Sequence, residues 1–189
     1  MRFFPGSLPA AFSVVLLFST SLLPVHAPVP PVTWEATQRL TNNTGWSEYP
    51  SVAASGANAY VAWDDDTFGY SGEIFFKRST DNGMTWGSAQ RLTNNAGESV
   101  FPSVAAVGTN VYVAWSDDTF GNYEIFFKRS TNNGVTWDTA QRLTNNAGSS
   151  YRPSAAVAKS YVYVAWGDNT FGNLEILFKC STDNGTTWG

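Results

Sequence analysis

The sequence predicts an all-β fold assembled from one four-stranded antiparallel unit written three times. Three observations predict it. Trp34, Trp86, Trp137 and Trp188 stand 52, 51 and 51 residues apart. The hexapeptide Gln38-Arg39-Leu40-Thr41-Asn42-Asn43 returns at 90–95 and 141–146, and residues 87–137 match residues 138–188 at 33 of 51 positions without a gap. After residue 27 no useful length of chain carries apolar residues at helical spacing. Short apolar runs alternate instead with Gly, Asn, Asp and Ser clusters, which is strand and turn chemistry.

The chain opens on something else. Arg2 is the only charge before the apolar run 10–23, and Pro24 ends that run ahead of Val25-His26-Ala27. Fourteen residues are too few to span a bilayer. A basic start, a short apolar core and a small-residue end predict a signal peptide, residues 1–27, cut after Ala27. The product is expected to be secreted, extracellular or periplasmic, with no stable membrane span. Residues 28–32, Pro-Val-Pro-Pro-Val, form a stiff extended lead-in.

Residues 33–189 carry the repeats. Within the first unit the strands are expected at Ser51–Ala54, Tyr60–Trp63, Glu73–Arg78 and from Trp86 to Thr93. The units run over about 50–93, 102–144 and 153–189. Strand one is small enough to sit innermost. Strands two and three are apolar on both sides, as in sheets covered on both faces. Four strands recurring at about 50 residues are the mark of a β-propeller blade. The third unit stops before its fourth strand, while a spare fourth strand is expected at 33–41. That segment could complete the third blade. Three blades are few for a closed ring. Two arrangements stay open: a homodimer forming a six-bladed ring, each chain lending its first strand to the other, or a piece of a longer repeat protein.

Composition narrows the function. Fifteen acidic against eleven basic side chains give a net charge of −4, which argues against nucleic acid as a partner. Cys180 is the only cysteine and His26 the only histidine. Internal disulfides, thiolate zinc sites and Ser-His-Asp machinery are therefore excluded from residues 28–189. There is no cofactor motif, and the run Asp64-Asp65-Asp66 lacks calcium-loop spacing, so no cofactor or metal is expected.

The turn between strands three and four reads Ser79-Thr80-Asp81-Asn82-Gly83-Met84-Thr85-Trp86. It returns at Ser130, Asn132, Gly134 and Trp137, and again at Ser181, Asp183, Gly185 and Trp188. Asp81 can accept turn N–H groups, Gly83 permits positive φ and Trp86 can plug the space beneath, so the role read here is structural. This pattern resembles the Asp-box, or BNR repeat, of the sialidase (neuraminidase) superfamily, and the resemblance covers residues 33–189. It implies a propeller in which these boxes sit away from the active face. It also implies enzymes with three arginines on a substrate carboxylate, a Tyr/Glu nucleophilic pair and an Asp acid/base. The nearest match to the family's Phe/Tyr-Arg-Ile-Pro motif is Tyr151-Arg152-Pro153.

Loop alternation places the second face. It carries Asp65, Asp117 and Asp168 with Phe68, Phe120 and Phe171, and Arg152 departs there from the repeat. Carboxylates beside aromatic rings suit sugars, so these seven are the candidate ligand residues. Repetition of Arg39, Arg91 and Arg142 favours a scaffold role, pairing with a nearby acid across strands. Glu98 and Tyr123 are present, but nothing in the sequence places them together. Nearly identical blades lack the mixed residues that a catalytic site needs. The expectation is a non-catalytic module binding glycan or protein at the cell surface. An exo-α-sialidase and a purely structural segment are the alternatives.

Overall fold

The computed structural model describes residues 35–69 and 71–189, so the expected leader 1–27 and lead-in 28–32 lie outside the described residues. Residues 35–38 are the described part of an N-terminal unit and carry no helix or strand. Residues 39–189 form the second unit. No described helix is long and apolar enough to cross a membrane.

Three antiparallel sheets follow one another along the chain. The first is β1 (Ser47–Ser55), β2 (Asn58–Asp65), β3 (Glu73–Ser79) and β4 (Gln90–Arg91). The second is β5 (Ser99–Val107), β6 (Asn110–Asp117), β7 (Glu124–Ser130) and β8 (Gln141–Arg142). The third holds β9 (Ser150–Ala158), β10 (Tyr161–Asp168) and β11 (Glu175–Ser181). Strands are ordered as in the sequence within each sheet. The register repeats too: Trp63 faces Phe75, Trp115 faces Phe126 and Trp166 faces Leu177. The innermost strands β1, β5 and β9 pack side by side. This is an all-β partial propeller, as expected.

Three expectations need correction. Strand one is longer than Ser51–Ala54, because it runs back through Pro50 by way of a register shift between Glu48 and Ser51. Tyr49 takes φ 47° there, and Phe101 (56°) and Arg152 (50°) do the same before Pro102 and Pro153. Strand four is shorter than Trp86–Thr93. Gly87 N–H bonds the Arg78 carbonyl and Leu92 N–H bonds the Ile74 carbonyl, yet only Gln90–Arg91 stays in register. The third correction concerns 33–41. Residues 33 and 34 lie outside the described residues, and 35–41 carry no strand.

Residues 39–41 nevertheless have the local shape of an outer strand. Arg39 Nε donates to the Thr41 carbonyl at 2.8 Å, as Arg142 Nε does to Thr144 at 2.9 Å. Lys77 Nζ donates to the Leu40 carbonyl at 2.6 Å. In the same way Lys128 bonds Leu92 and Lys179 bonds Leu143. The segment thus lies against the first sheet where a preceding sheet would place its fourth strand. It does not extend the third sheet, whose outermost strand is β11.

The core lies between sheets. One cluster joins Tyr60, Ile74 and Phe76 to Val104, Val113 and Trp115. The second joins Tyr112, Ile125 and Phe127 to Val162, Val164 and Trp166. The repeated turn closes each contact. Trp137 meets Phe76 edge-on with centroids 4.9 Å apart, and Trp188 meets Phe127 in the same way. A Cβ on Gly134 would stand 2.6 Å from the Phe76 ring. Each turn also donates to its own β1–β2-type loop, as in Asn82 N–H to the Ala57 carbonyl at 2.8 Å. All the turns therefore lie at one end of the sheets.

Candidate functional site

The other end carries the β2–β3-type loops and the links between sheets. Asp65, Asp117 and Asp168 hold these two kinds of loop together. Asp65 Oδ2 accepts from Asn43 Nδ2 at 2.6 Å, Ser47 Oγ at 2.7 Å and Trp63 Nε1 at 3.1 Å. Its Oδ1 accepts from the Thr67 N–H and hydroxyl. Asp117 repeats the set with Asn95, Ser99, Trp115 and Thr119, and Asp168 with Asn146, Ser150, Trp166 and Thr170. All three are buried. Burial would raise their pKa values, but the hydroxyl and N–H donors outweigh it and hold them below the ordinary value. A carboxylate whose lone pairs are already occupied is a pin, with little left for a ligand.

Phe68, Phe120 and Phe171 stand elsewhere. Phe68 stacks on Phe75 beneath the Arg91 guanidinium, 4.9 Å from the ring centroid. Phe120 stacks on Phe126 beneath Arg142. Arg91 bridges Glu73, and Arg142 bridges Glu124, each at 2.8 Å. These stacks belong to the outer strands, and the arginines have the scaffold role expected of them. All three rings are exposed, and among the described residues no guanidinium covers Phe171.

Arg152 lies at the innermost strands. Its guanidinium covers Phe101 at 4.9 Å, and Phe101 meets Tyr49 edge-on at 4.5 Å. The three left-handed residues thus form one row along the inner rim. Strained backbone repeated at one rim is an observation that invites a functional reading.

Beside that row, between the first two sheets, is a cavity of about 230 Å³ lined by Asp64, Glu98 and Tyr123 with Glu48, Tyr49 and Phe101. Tyr123 donates its hydroxyl to Glu98 Oε2. The structure therefore brings together the two residues that the sequence left apart. Burial, followed by this bond and the Glu98 charge, raises the Tyr123 pKa. Asp64 is 6% exposed. Burial pushes its carboxyl up to about 7, against the pull of the Phe101 N–H and with help from Glu48. Its Oδ1 accepts that N–H at 3.2 Å, and in the second repeat Ser116 Oγ does the same for Arg152 N–H at 3.0 Å. A serine suffices for this pin, so a carboxylate at 64 exceeds what the fold needs.

Asp64, Glu98 and Tyr123 were not among the seven candidate ligand residues, although the sequence marks them as departures. Each breaks the repeat: Asp64 aligns with Ser116 and Gly167, Glu98 with Trp46 and Ser149, and Tyr123 with Gly72 and Leu174. Among the described residues no group of three or more His, Cys, Asp or Glu has the arrangement of a metal site. Cys180 is free and half-buried.

Comparison with known proteins fixes the fold. No family model matches the chain, and no curated protein matches it. Solved structures do. Trypanosoma rangeli sialidase superposes with TM-score 0.57 at 16% identity, over 77% of this chain and 30% of that one. Penicillium chrysogenum α-L-arabinanase, complexed with arabinobiose, gives 0.56 at 16% identity, over 76% of this chain and 48% of the enzyme. A family 117 glycoside hydrolase from Zobellia galactanivorans gives 0.55 at 11% identity, over 75% and 54%. The chain spans about 30% of the sialidase's length. Its fold is that of a sialidase-like β-propeller.

Proposed function

We propose that this chain is part of a secreted propeller whose inner-rim face binds carbohydrate. One observation carries the reading: three side chains that break the repeat converge in one cavity beside the exposed rings of Trp46 and Tyr49. The rings of Trp46 and Tyr49 stand exposed at the cavity for sugar C–H groups, and Glu48, Glu98 and Asp64 offer oxygens to hydroxyls. The charge selects further. Glu48, Asp64, Asp66 and Glu98 line the cavity, and no Lys or Arg among the described residues does. A sialoside carboxylate would meet like charges there, so the ligand class is a neutral glycan. A glycan array followed by calorimetry tests this. Saturable binding of neutral oligosaccharides is expected, weakened about tenfold or more by Glu98→Gln, which removes a charge-assisted acceptor. Binding restricted to sialosides, or none on any glycan, would overturn it.

A second reading, glycoside hydrolysis, is favoured by the Tyr123–Glu98 hydrogen bond. Glu98 could take the phenol proton as the Tyr123 oxygen attacks an anomeric carbon. Asp64, protonated up to about pH 7, could donate to the leaving oxygen. These are the roles that the sialidase resemblance implies for such residues. Only Arg152 stands in the inner-rim row, however, where the resemblance implies three arginines, so sialoside turnover is not expected. Turnover of a neutral aryl glycoside, abolished by Asp64→Asn and by Tyr123→Phe, would favour hydrolysis over binding alone.

A further inference from the structure

Among the described residues the contact between sheets is made twice, and the first and third sheets each carry one unmatched half of it. Tyr60, Ala62, Ile74 and Phe76 of the first sheet enter one core, and Tyr112, Ala114, Ile125 and Phe127 of the second enter the other. The third sheet presents the same set as Tyr163, Ala165, Ile176 and Phe178. Tyr163 stacks on Phe178 at 6.1 Å, as Tyr60 does on Phe76 and Tyr112 on Phe127 at 5.9 Å. Yet Ile176 is 76% and Phe178 59% exposed, where their equivalents are 0%. At the other end Val52 of the first sheet is 73% exposed, where Val104 is 5%.

The outer strands show the same two halves. In the first two sheets a fourth-strand arginine bridges the glutamate that opens strand three and covers the loop phenylalanine. The third sheet has that glutamate (Glu175), exposed where Glu73 and Glu124 are buried, and that phenylalanine (Phe171), exposed like Phe68 and Phe120 but with no guanidinium over it, and no fourth strand among the described residues. The matching arginine is Arg39. It already has the fourth-strand bond to the Thr41 carbonyl, is held at the first sheet through Lys77 and Leu40, and makes no ion pair among the described residues.

We propose that a second copy of this chain docks head to tail. Its first sheet covers Ile176 and Phe178, and its segment 39–41 serves as the missing fourth strand, with Arg39 on Glu175 and over Phe171. Two such contacts close a pair of chains. The occupant follows from the interface already present twice: the surface shown to fit this face is the face that the first sheet presents. The contact is heterologous, so it must close or it will propagate.

Sedimentation and light scattering of the full chain test this. A discrete dimer is expected at micromolar concentration. Arg39→Glu and Glu175→Arg should each weaken it by about tenfold or more, since the equivalent glutamates are buried in their ion pairs. Both residues are exposed in the single chain, so neither change threatens its fold. The double variant Arg39→Glu/Glu175→Arg should recover most of the loss, because the reversed charges meet again across copies. A monomer at all concentrations would overturn the proposal, and is the outcome if a further repeat of a longer polypeptide covers the face. An open-ended ladder of species would overturn closure. A dimer insensitive to both single changes would overturn the head-to-tail contact.

Discussion

At the scale of residues, neighbouring aspartates of one strand have opposite roles. Asp65 spends its oxygens on Asn43, Ser47, Trp63 and Thr67, whereas Asp64 is buried beside a cavity with one backbone N–H on Oδ1. The difference is measurable. The folded pKa of Asp64 is raised from an ordinary 3.8 to about 7, so the folded state holds this proton more tightly than the unfolded state. Stability from this group is full below pH 4 and declines as pH rises through the interval to about 7. Asp64→Ser keeps the backbone pin and removes the titration. Its urea midpoint should match that of the native chain near pH 4 and exceed it at pH 8, by on the order of 2–4 kcal/mol after conversion. Equal midpoints at pH 8 would show that Asp64 ionises freely. The sequence made Asp65, Asp117 and Asp168 ligand candidates because carboxylates beside aromatic rings suit sugars. Recurrence turns out to mark loop pins, and departure from it marks the cavity.

At the scale of elements, the turn after each third strand shows which part of a motif is local and which is not. Ser79 and Asp81 close the turn on themselves. Asp81 accepts from Ser79 Oγ at 2.6 Å and from Thr85 N–H at 2.8 Å, and those bonds lower its pKa to about 2. Asn132 keeps the acceptor role for Thr136 N–H and turns its own amide on the Thr136 hydroxyl. That much was legible, since an Asx side chain can satisfy turn N–H groups without help from elsewhere. The glycines carry a second constraint that the motif does not reveal. Gly83 and Gly134 both take positive φ, at 85° and 76°. Only Gly134 has the Phe76 ring 2.6 Å from where a Cβ would stand, while at Gly83 the nearest atom is 4.0 Å away in Trp86. Gly83→Ala should cost roughly 1–2 kcal/mol for the left-handed backbone. Gly134→Ala should cost roughly 1–3 kcal/mol more, because the ring must shift as well. Chemical denaturation of the two variants checks this, and equal losses would show that Phe76 moves aside freely.

At the scale of the molecule, the apolar core of each sheet is completed by its neighbour. Phe127 is fully covered by the third sheet and its turn, whereas Phe178, at the same place in the repeat, is not. Phe127→Ala should cost about 3–5 kcal/mol at any protein concentration. Phe178→Ala should cost little in dilute chain, with a loss that grows as concentration rises and the face is covered. Thermal midpoints of both variants over a concentration series read this directly. A flat response from Phe178→Ala would mean that its face stays bare.

The sequence alone determined the strand order, the repeat register and the chemistry of the turns. Those depend on side-chain period and on residues within a few positions of one another, and three near-copies report them three times. Its reading of the ends was less good. Strand four shrank to two residues in each of the first two sheets, and 39–41 lies at the first sheet and does not complete the third sheet of its own chain. Only the tertiary structure brings the candidate site together. Glu98 and Tyr123 stand 25 positions apart and meet because one directly precedes an inner strand and the other directly precedes the third strand of the same sheet. Asp64 joins them from the sheet before. Such a meeting depends on how sheets stack, which no local pattern encodes.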